Sequence, residues 1–427
     1  EREPLHVFCI HLYIHITEAS GDPNVLHKAK PFAELLPKLM PGAPHLVHMA
    51  FHTLMHTGGY HVSEVDNARA ASLPRQIYPL HNLDTLAWVC RVEGRRGCSL
   101  TVAMRLERLA LPLVKQGLFE TGFPAGRFVA QRLLTLVAFG LWDEILAADA
   151  PLSCSEHFTC GIWHFARGAA QAHQGRPAAA LAELQALQRE RRAVVSSMAT
   201  RPKWAWRNFN GSTEFGVYPA GDLLELACLE LQARTSHAKG HQDGELAAWR
   251  AAAALEAGLP YDEPPAWYLP TSTRLGAALA RAGQRKEAWE MFNSTLQKFP
   301  HDGWALFGMV RLCEEAASAS EAAQPREAQH VDCQQLQRRF AQAWRHADVR
   351  LVGPDQAPEL IQQAPAGAAA LTPGLAHGPL RLQPSMGAAL AVASVFLALL
   401  VGANFRAVRP GASCSARSAR CPLRGAC

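Results

Sequence analysis

Ten of the nineteen histidines fall within residues 1–81. His11, His15 and Glu18 stand at i, i+4 and i+7, which puts them on one face of a helix. His45, His48, His52 and His56 follow at i, i+3, i+7 and i+11, a second stripe, and His81 with Asp84 belongs to a third helix or its cap. Three neighbouring helices thus each offer imidazole or carboxylate in a row. Zinc and similar divalent transition metals take three or four such ligands converging at about 2.0–2.2 Å. The spacing therefore predicts a metal site built from His11, His15, Glu18, His48, His52 and His81. An open coordination position there would let the ion activate water, with Glu18 as base. The stripes lack the H-E-x-x-H spacing of zinc hydrolases, so metal binding has more support than metal catalysis. The competing reading is a polar groove whose histidines hydrogen-bond between helices or contact a peptide.

Other groups offer less. Cys154, His157, Cys160 and His164 form C-x2-H-x2-C-x3-H. One short segment rarely wraps a metal tetrahedrally, so a loop with buried thiols is the expectation. Asp262 and Glu263, followed by Pro264-Pro265, Trp267, Tyr268 and Pro270, make a rigid acidic and aromatic turn. Asp262, Glu263, Trp267 and Tyr268 can clamp a ligand at a groove, or the turn can simply redirect the chain between helices; its prolines favour the second. Trp204, Trp206, Arg207 and Asn210 lie in an insert, about 196–220, that reads as a lid or a long loop. No phosphate loop, G-x-G-x-x-G turn or G-x-S-x-G elbow is present, which leaves nucleotide and serine hydrolysis without support.

The elements that must carry these residues are helical. No window keeps a period of two with turn signals, whereas Leu181, Leu184 and Leu187 recur at helical spacing. Short turns centred on Gly58, Gly94, Gly140, Gly175 and Gly283 separate amphipathic segments. Successive turn glycines are 36, 46, 35 and 108 residues apart, and the last gap reads as three units. Around Gly283 the pattern is clearest. Gly276 and Ala288 are small where paired helices approach, Leu275, Leu279 and Phe292 fill the seam, and Pro300 follows the second helix. These observations predict an all-α fold, an α-α superhelix of about seven or eight hairpins over residues 1–350. Such arrays usually recognise partners, so a concave groove holding a protein or peptide ligand is the expected role, with the metal site as the alternative.

Several words occur in fixed order: HLYIHITEAS (11–20), PGAPHLVHMAFHTLMHTGGY (41–60), YPLHNLDTLAWV (78–89), GLWDEILA (140–147), GIWHFARG (161–168), LPYDEPPAWYLP (259–270), LGAALARAGQRKEA (275–288) and HDGWALFGM (301–309). Together they resemble a family of tetratricopeptide-repeat (TPR) proteins of bacteria and some algae, over roughly residues 8–350. The resemblance implies a helical-repeat fold and no particular reaction. Family members commonly have Pro-Ser where this chain has Ala50-Phe51, and often His where it has Asp84. They usually carry further repeats before the first word, which implies an N-terminally truncated member.

Composition agrees with a packed body: 49% of residues are apolar and 19% charged. The net charge of +5 comes from a tail, 404–427, with five arginines and no acid, so the neutral body argues against nucleic-acid binding. Cysteines without a CxxC pair read as buried thiols in the body. Residues 351–385 are rich in Pro, Ala and Gly and read as a linker. The uncharged run 386–403 is just long enough to span a bilayer, which predicts a single-pass membrane tether.

Overall fold

The computed structural model describes residues 5–74, 78–115, 125–150, 156–199, 219–320, 333–351 and 359–360. The chain divides into two units, Glu1–Leu380 and Arg381–Cys427, and every described residue belongs to the first. The fold is all-α, as the helical spacing predicts. Helices α1 (Val7–Glu18) and α2 (Pro23–Leu39) form the first pair. The side chain of Asp22 caps α2 by accepting from the Asn24 amide at 2.8 Å, and Pro23 suits its first turn. Helix α3 (Pro44–His48) runs through a bend at Met49 into α4 (Ala50–Thr57), which pairs with α5 (Tyr60–Ser72). The following pairs are α6/α7 (Pro79–Val92, Arg96–Lys115), α8/α9 (Ala125–Ala138, Trp142–Ala147) and α10/α11 (His157–His173, Pro177–Ala199). Then come α12/α13 (Ala220–Ala238, Gln242–Ala257), α14/α15 (Thr271–Arg281, Arg285–Lys298) and α16/α17 (Gly303–Ser320, Cys333–Ala343).

All five expected turn glycines take a left-handed φ, between 65° and 74°. A sixth, Gly240, does so as well at 72°, so the long gap before Gly283 does not hold evenly spaced units. Phe292 fills its seam because Gly276 and Gly308 have no side chain: a Cβ would stand 2.9 Å from the ring at Gly276 and 2.3 Å at Gly308.

Early and late hairpins touch. Phe51, Tyr60, Trp88 and Val92 share one buried cluster with Phe299. The Trp304 indole donates to the Arg91 carbonyl at 3.1 Å. Asp348 accepts from the amides of Arg96 and Gly97 at 2.6 and 2.8 Å, an anion on the N-terminus of α7. The Trp344 ring lies against Gly94, where a Cβ would come within 2.3 Å of it. Gly94 therefore answers to two demands, its φ of 68° and this close approach, whereas Gly175 (φ 70°) faces open space. Gly175→Ala is expected to cost about 1 kcal/mol and Gly94→Ala roughly 2–4 kcal/mol, read as a difference between urea melts.

Three expectations are corrected. Among the described residues no helix is long and apolar enough to cross a membrane, which overturns the single-pass membrane protein; the run 386–403 and the tail 404–427 lie outside the described residues. Disulfides Cys90–Cys98 and Cys313–Cys333 stand where buried thiols were expected, because each pair faces across two packed helices with Cα atoms 5.8 Å apart, whereas Cys228 is a buried thiol as expected. A short antiparallel pairing of β1 (Val349–Arg350) with β2 (Glu359–Leu360) reaches into the expected linker.

Candidate metal centre

Helix α1 buries Ile10, Ile14 and Thr17. One residue further round lie His11, His15 and Glu18, a polar stripe that turns toward α3 and α4. Beneath it Ile10, Ile14, Ala33, Leu36 and Met49 form a small apolar core. His45 and His48 project from α3, His52 from α4 and His81 from α6. The fold thus brings all six expected residues, His11, His15, Glu18, His48, His52 and His81, into one neighbourhood and adds His45 to them.

They fall into two triads. In the first, His48 Nε2 is 3.0 Å from His52 Nε2 and 3.0 Å from His81 Nε2. Their ligand atoms lie within 4.8 Å of one another, and all three side chains are buried. In the second, His11 Nε2 is 3.0 Å from His45 Nε2 and 3.1 Å from His15 Nε2.

The outer nitrogens decide where the lone pairs point. Asn67 Nδ2 donates to the Ser63 carbonyl at 2.8 Å, which turns Asn67 Oδ1 toward His48 Nδ1 at 2.7 Å. That oxygen only accepts, so His48 carries its proton on Nδ1 and its Nε2 lone pair faces the triad. Thr85 donates to the same oxygen at 3.2 Å. His52 Nδ1 donates to Glu18 Oε2 at 3.0 Å and to Glu263, which in turn accepts from the Tyr261 hydroxyl. His15 Nδ1 meets both Glu18 oxygens at 3.1 Å. Carboxylate or amide behind an imidazole is the usual outer shell of a metal-binding histidine. Regular tetrahedral coordination at 2.0–2.1 Å sets neighbouring nitrogens about 3.3 Å apart, close to the spacing here.

The electrostatics follow from burial. Burial, with neighbouring imidazoles, holds His45, His48 and His81 well below their ordinary range, and lowers His11 to about 4. Burial also opposes a charge on His52, but Glu263 and Glu18 outweigh it and raise His52 well above the usual value. Burial pushes Glu18 up, yet His52 and His15 hold it low; burial and the charge of Glu18 push Glu263 up to about 7. For His11, His45, His48 and His81 the folded value lies below the unfolded value near 6.5. Their contribution to stability is whole above that pH and is lost as pH falls, for His11 toward about 4. His52 runs the other way, with its contribution whole below about 6.5 and lost as pH rises through its higher folded value. The metal-free wild type is therefore expected to lose more melting temperature between pH 7 and pH 5 than a His48→Ala/His81→Ala variant in thermal scans; Glu263, raised to about 7, pulls the other way in both chains.

The acidic turn supports this region from behind. Arg127 is fully buried; its Nε donates to Asp84 at 2.9 Å, Nη1 to Asp262 at 2.7 Å and Nη2 to the Pro264 carbonyl at 2.9 Å. Asp262 and Glu263 are thereby held against α4, α6 and α8. Trp267 and Tyr268 are each 2% exposed, so neither stands on a surface where it can clamp a ligand. Glu230 draws them inward by accepting from the Trp267 indole at 3.1 Å and from the Tyr268 hydroxyl. His56 leaves its stripe for the Lys298 carbonyl at 3.3 Å. His157 pairs with Glu190 and His164 with Glu183, both at 2.7 Å, Cys160 is disulfide-bonded, and Cys154 lies outside the described residues, as does the insert at 200–218. Asn67 and Arg127 were not foreseen; neither carries a local signal that distinguishes it from other polar helix residues.

Comparison with protein-family models, with curated proteins and with solved structures finds no match for the chain.

Proposed function

We propose that this chain is a metal-binding protein in which helical hairpins hold a divalent transition-metal ion, zinc being the simplest fit, on His48, His52 and His81. The observation that carries this reading is the set of Nε2 atoms turned on one another while His48 and His52 have Nδ1 tied to acceptors. An ion held by the three Nε2 atoms takes the place of the protons that otherwise bridge them. Three protein nitrogens leave a fourth coordination position for water or another ligand. The proposal includes stacking of the hairpins as a TPR-like superhelix, supported by the left-handed turn glycines and the small residues at the seams.

The test is metal analysis of the full chain, stripped with EDTA, reloaded with Zn2+ and desalted. Bound zinc should be retained by the wild type and reduced by one equivalent in the His48→Ala/His81→Ala variant. Zinc below about 0.2 mole per chain in the wild type would end the proposal.

A second reading, a scaffold for a protein partner, is favoured by one surface. Leu5, Phe8 and Ile16 are 58%, 59% and 67% exposed along α1 and the residues before it. An apolar stripe at that spacing suits an amphipathic helix as ligand. Phe8→Ser with Ile16→Ser should abolish capture of such a helix by this chain; capture unchanged by the pair would remove this reading.

A further inference from the structure

We infer that His11, His15 and His45 form a second transition-metal site and that Glu18 couples it to the site on His48, His52 and His81. The second site stands on its own geometry; the coupling rests on the metal-binding function proposed above. His11 Nε2 faces both His45 Nε2 at 3.0 Å and His15 Nε2 at 3.1 Å. Glu18 accepts from His15 Nδ1, so the neutral ring presents its Nε2 lone pair to His11. A proton on His11 Nε2 can be donated along one of its two contacts, whereas a cation between the rings draws on all three nitrogens. His45 Nδ1 is buried with no hydrogen-bond partner, so without metal the neutral ring keeps its proton on Nε2, where it donates to His11, and an ion at Nε2 moves that proton to Nδ1.

The two triads stand back to back. Glu18 Oε2 is 3.1 Å from His15 Nδ1 and 3.0 Å from His52 Nδ1. One carboxylate thus supplies the outer hydrogen bond to a ligand of each site. An ion on the Nε2 of either ring makes its Nδ1–H a stronger donor and draws on the same anionic charge. The sites also differ in access. The His15 side chain keeps 24% of its surface, whereas those of His48, His52 and His81 are buried. Metal at the outer site should exchange with solvent more readily.

The experiment uses the full chain, freed of metal and loaded with 113Cd2+, with Zn2+ equilibrium dialysis in parallel. Two 113Cd resonances and two zinc equivalents are expected in the wild type. His11→Ala/His45→Ala should leave one equivalent, and His48→Ala/His81→Ala should leave the other. Glu18→Gln should keep both equivalents while weakening each about 10–100-fold, because an amide cannot accept from two imidazoles as a carboxylate does. A single resonance and one equivalent that survives His11→Ala/His45→Ala would overturn the second site and leave the proposed function standing. One equivalent lost only with His11→Ala/His45→Ala would keep the second site and remove the first. No bound cadmium or zinc at all would remove both. Unchanged affinities in Glu18→Gln would overturn the coupling alone. The cadmium spectrum of the wild type decides the number of sites even where a variant fails to fold.

Discussion

Zinc added to the EDTA-treated chain is expected to raise its thermal stability by about 2.7 kcal/mol for each site at a free concentration one hundred times that site's dissociation constant, and EDTA should reverse the gain. The reason is that the fold already turns the three Nε2 atoms on one another, His48 standing 3.0 Å from both His52 and His81, with all three rings out of water. An ion replaces the protons between those nitrogens, and it binds the folded arrangement because the ligands come from α3, α4 and α6, which the unfolded chain does not hold together. His48→Ala/His81→Ala should lose the part of the gain that belongs to this triad while removing two buried imidazoles whose charging opposes the fold. Its metal-free form should therefore lose less stability between pH 7 and pH 5 than the wild type does. Differential scanning calorimetry with and without zinc, at both pH values, checks the two statements together.

Arg127→Ala should be the most damaging single change away from the histidines, by about 3–5 kcal/mol in urea unfolding. The guanidinium is the hub of two buried carboxylates and a carbonyl drawn from separate parts of the chain. Without it Asp84 and Asp262 remain buried and uncompensated, and Asp84 Oδ1 already lacks a hydrogen-bond partner. Arg127→Lys should rescue little, since a single ammonium cannot reproduce the fork that reaches three acceptors. Glu263 follows Asp262 directly and sits on His52, so the same variant should also weaken zinc binding, about 10–100-fold by equilibrium dialysis. A loss of stability with zinc affinity intact would show that the turn holds the fold without steering His52.

What the sequence made legible was whatever repeats over one or two helical turns. His11, His15 and Glu18 share a face because α1 is regular there, and five turn glycines could be read because each closes a helix next to it. Gly240 carries the same kind of signal between Lys239 and His241, but an assumed even period passed over it. The pairing of distant segments had no such local mark. Nothing near Glu263 shows that it faces His52, and nothing near Trp267 shows that Glu230 draws its indole inward. The reading of those aromatics as a clamp placed them at a groove surface, whereas buried partners for their polar tips made the interior available. His45 was visible in its stripe, but only the bend at Met49 and the approach of α1 turn it toward His11 rather than into the other triad. Asp84 carries an anionic oxygen where the resembling family often has imidazole, and here that oxygen serves Arg127.

The contacts of Gly94, Arg96 and Gly97 with Trp344 and Asp348 also bear on how the molecule comes apart. A row of repeats that touch only their neighbours can fray from either end, one unit at a time. Here loops of more than two hundred residues must close before the early hairpins are complete, which slows assembly and makes partial states unfavourable. Trp88 and Trp267, far apart in the chain, should accordingly lose their native fluorescence in the same transition.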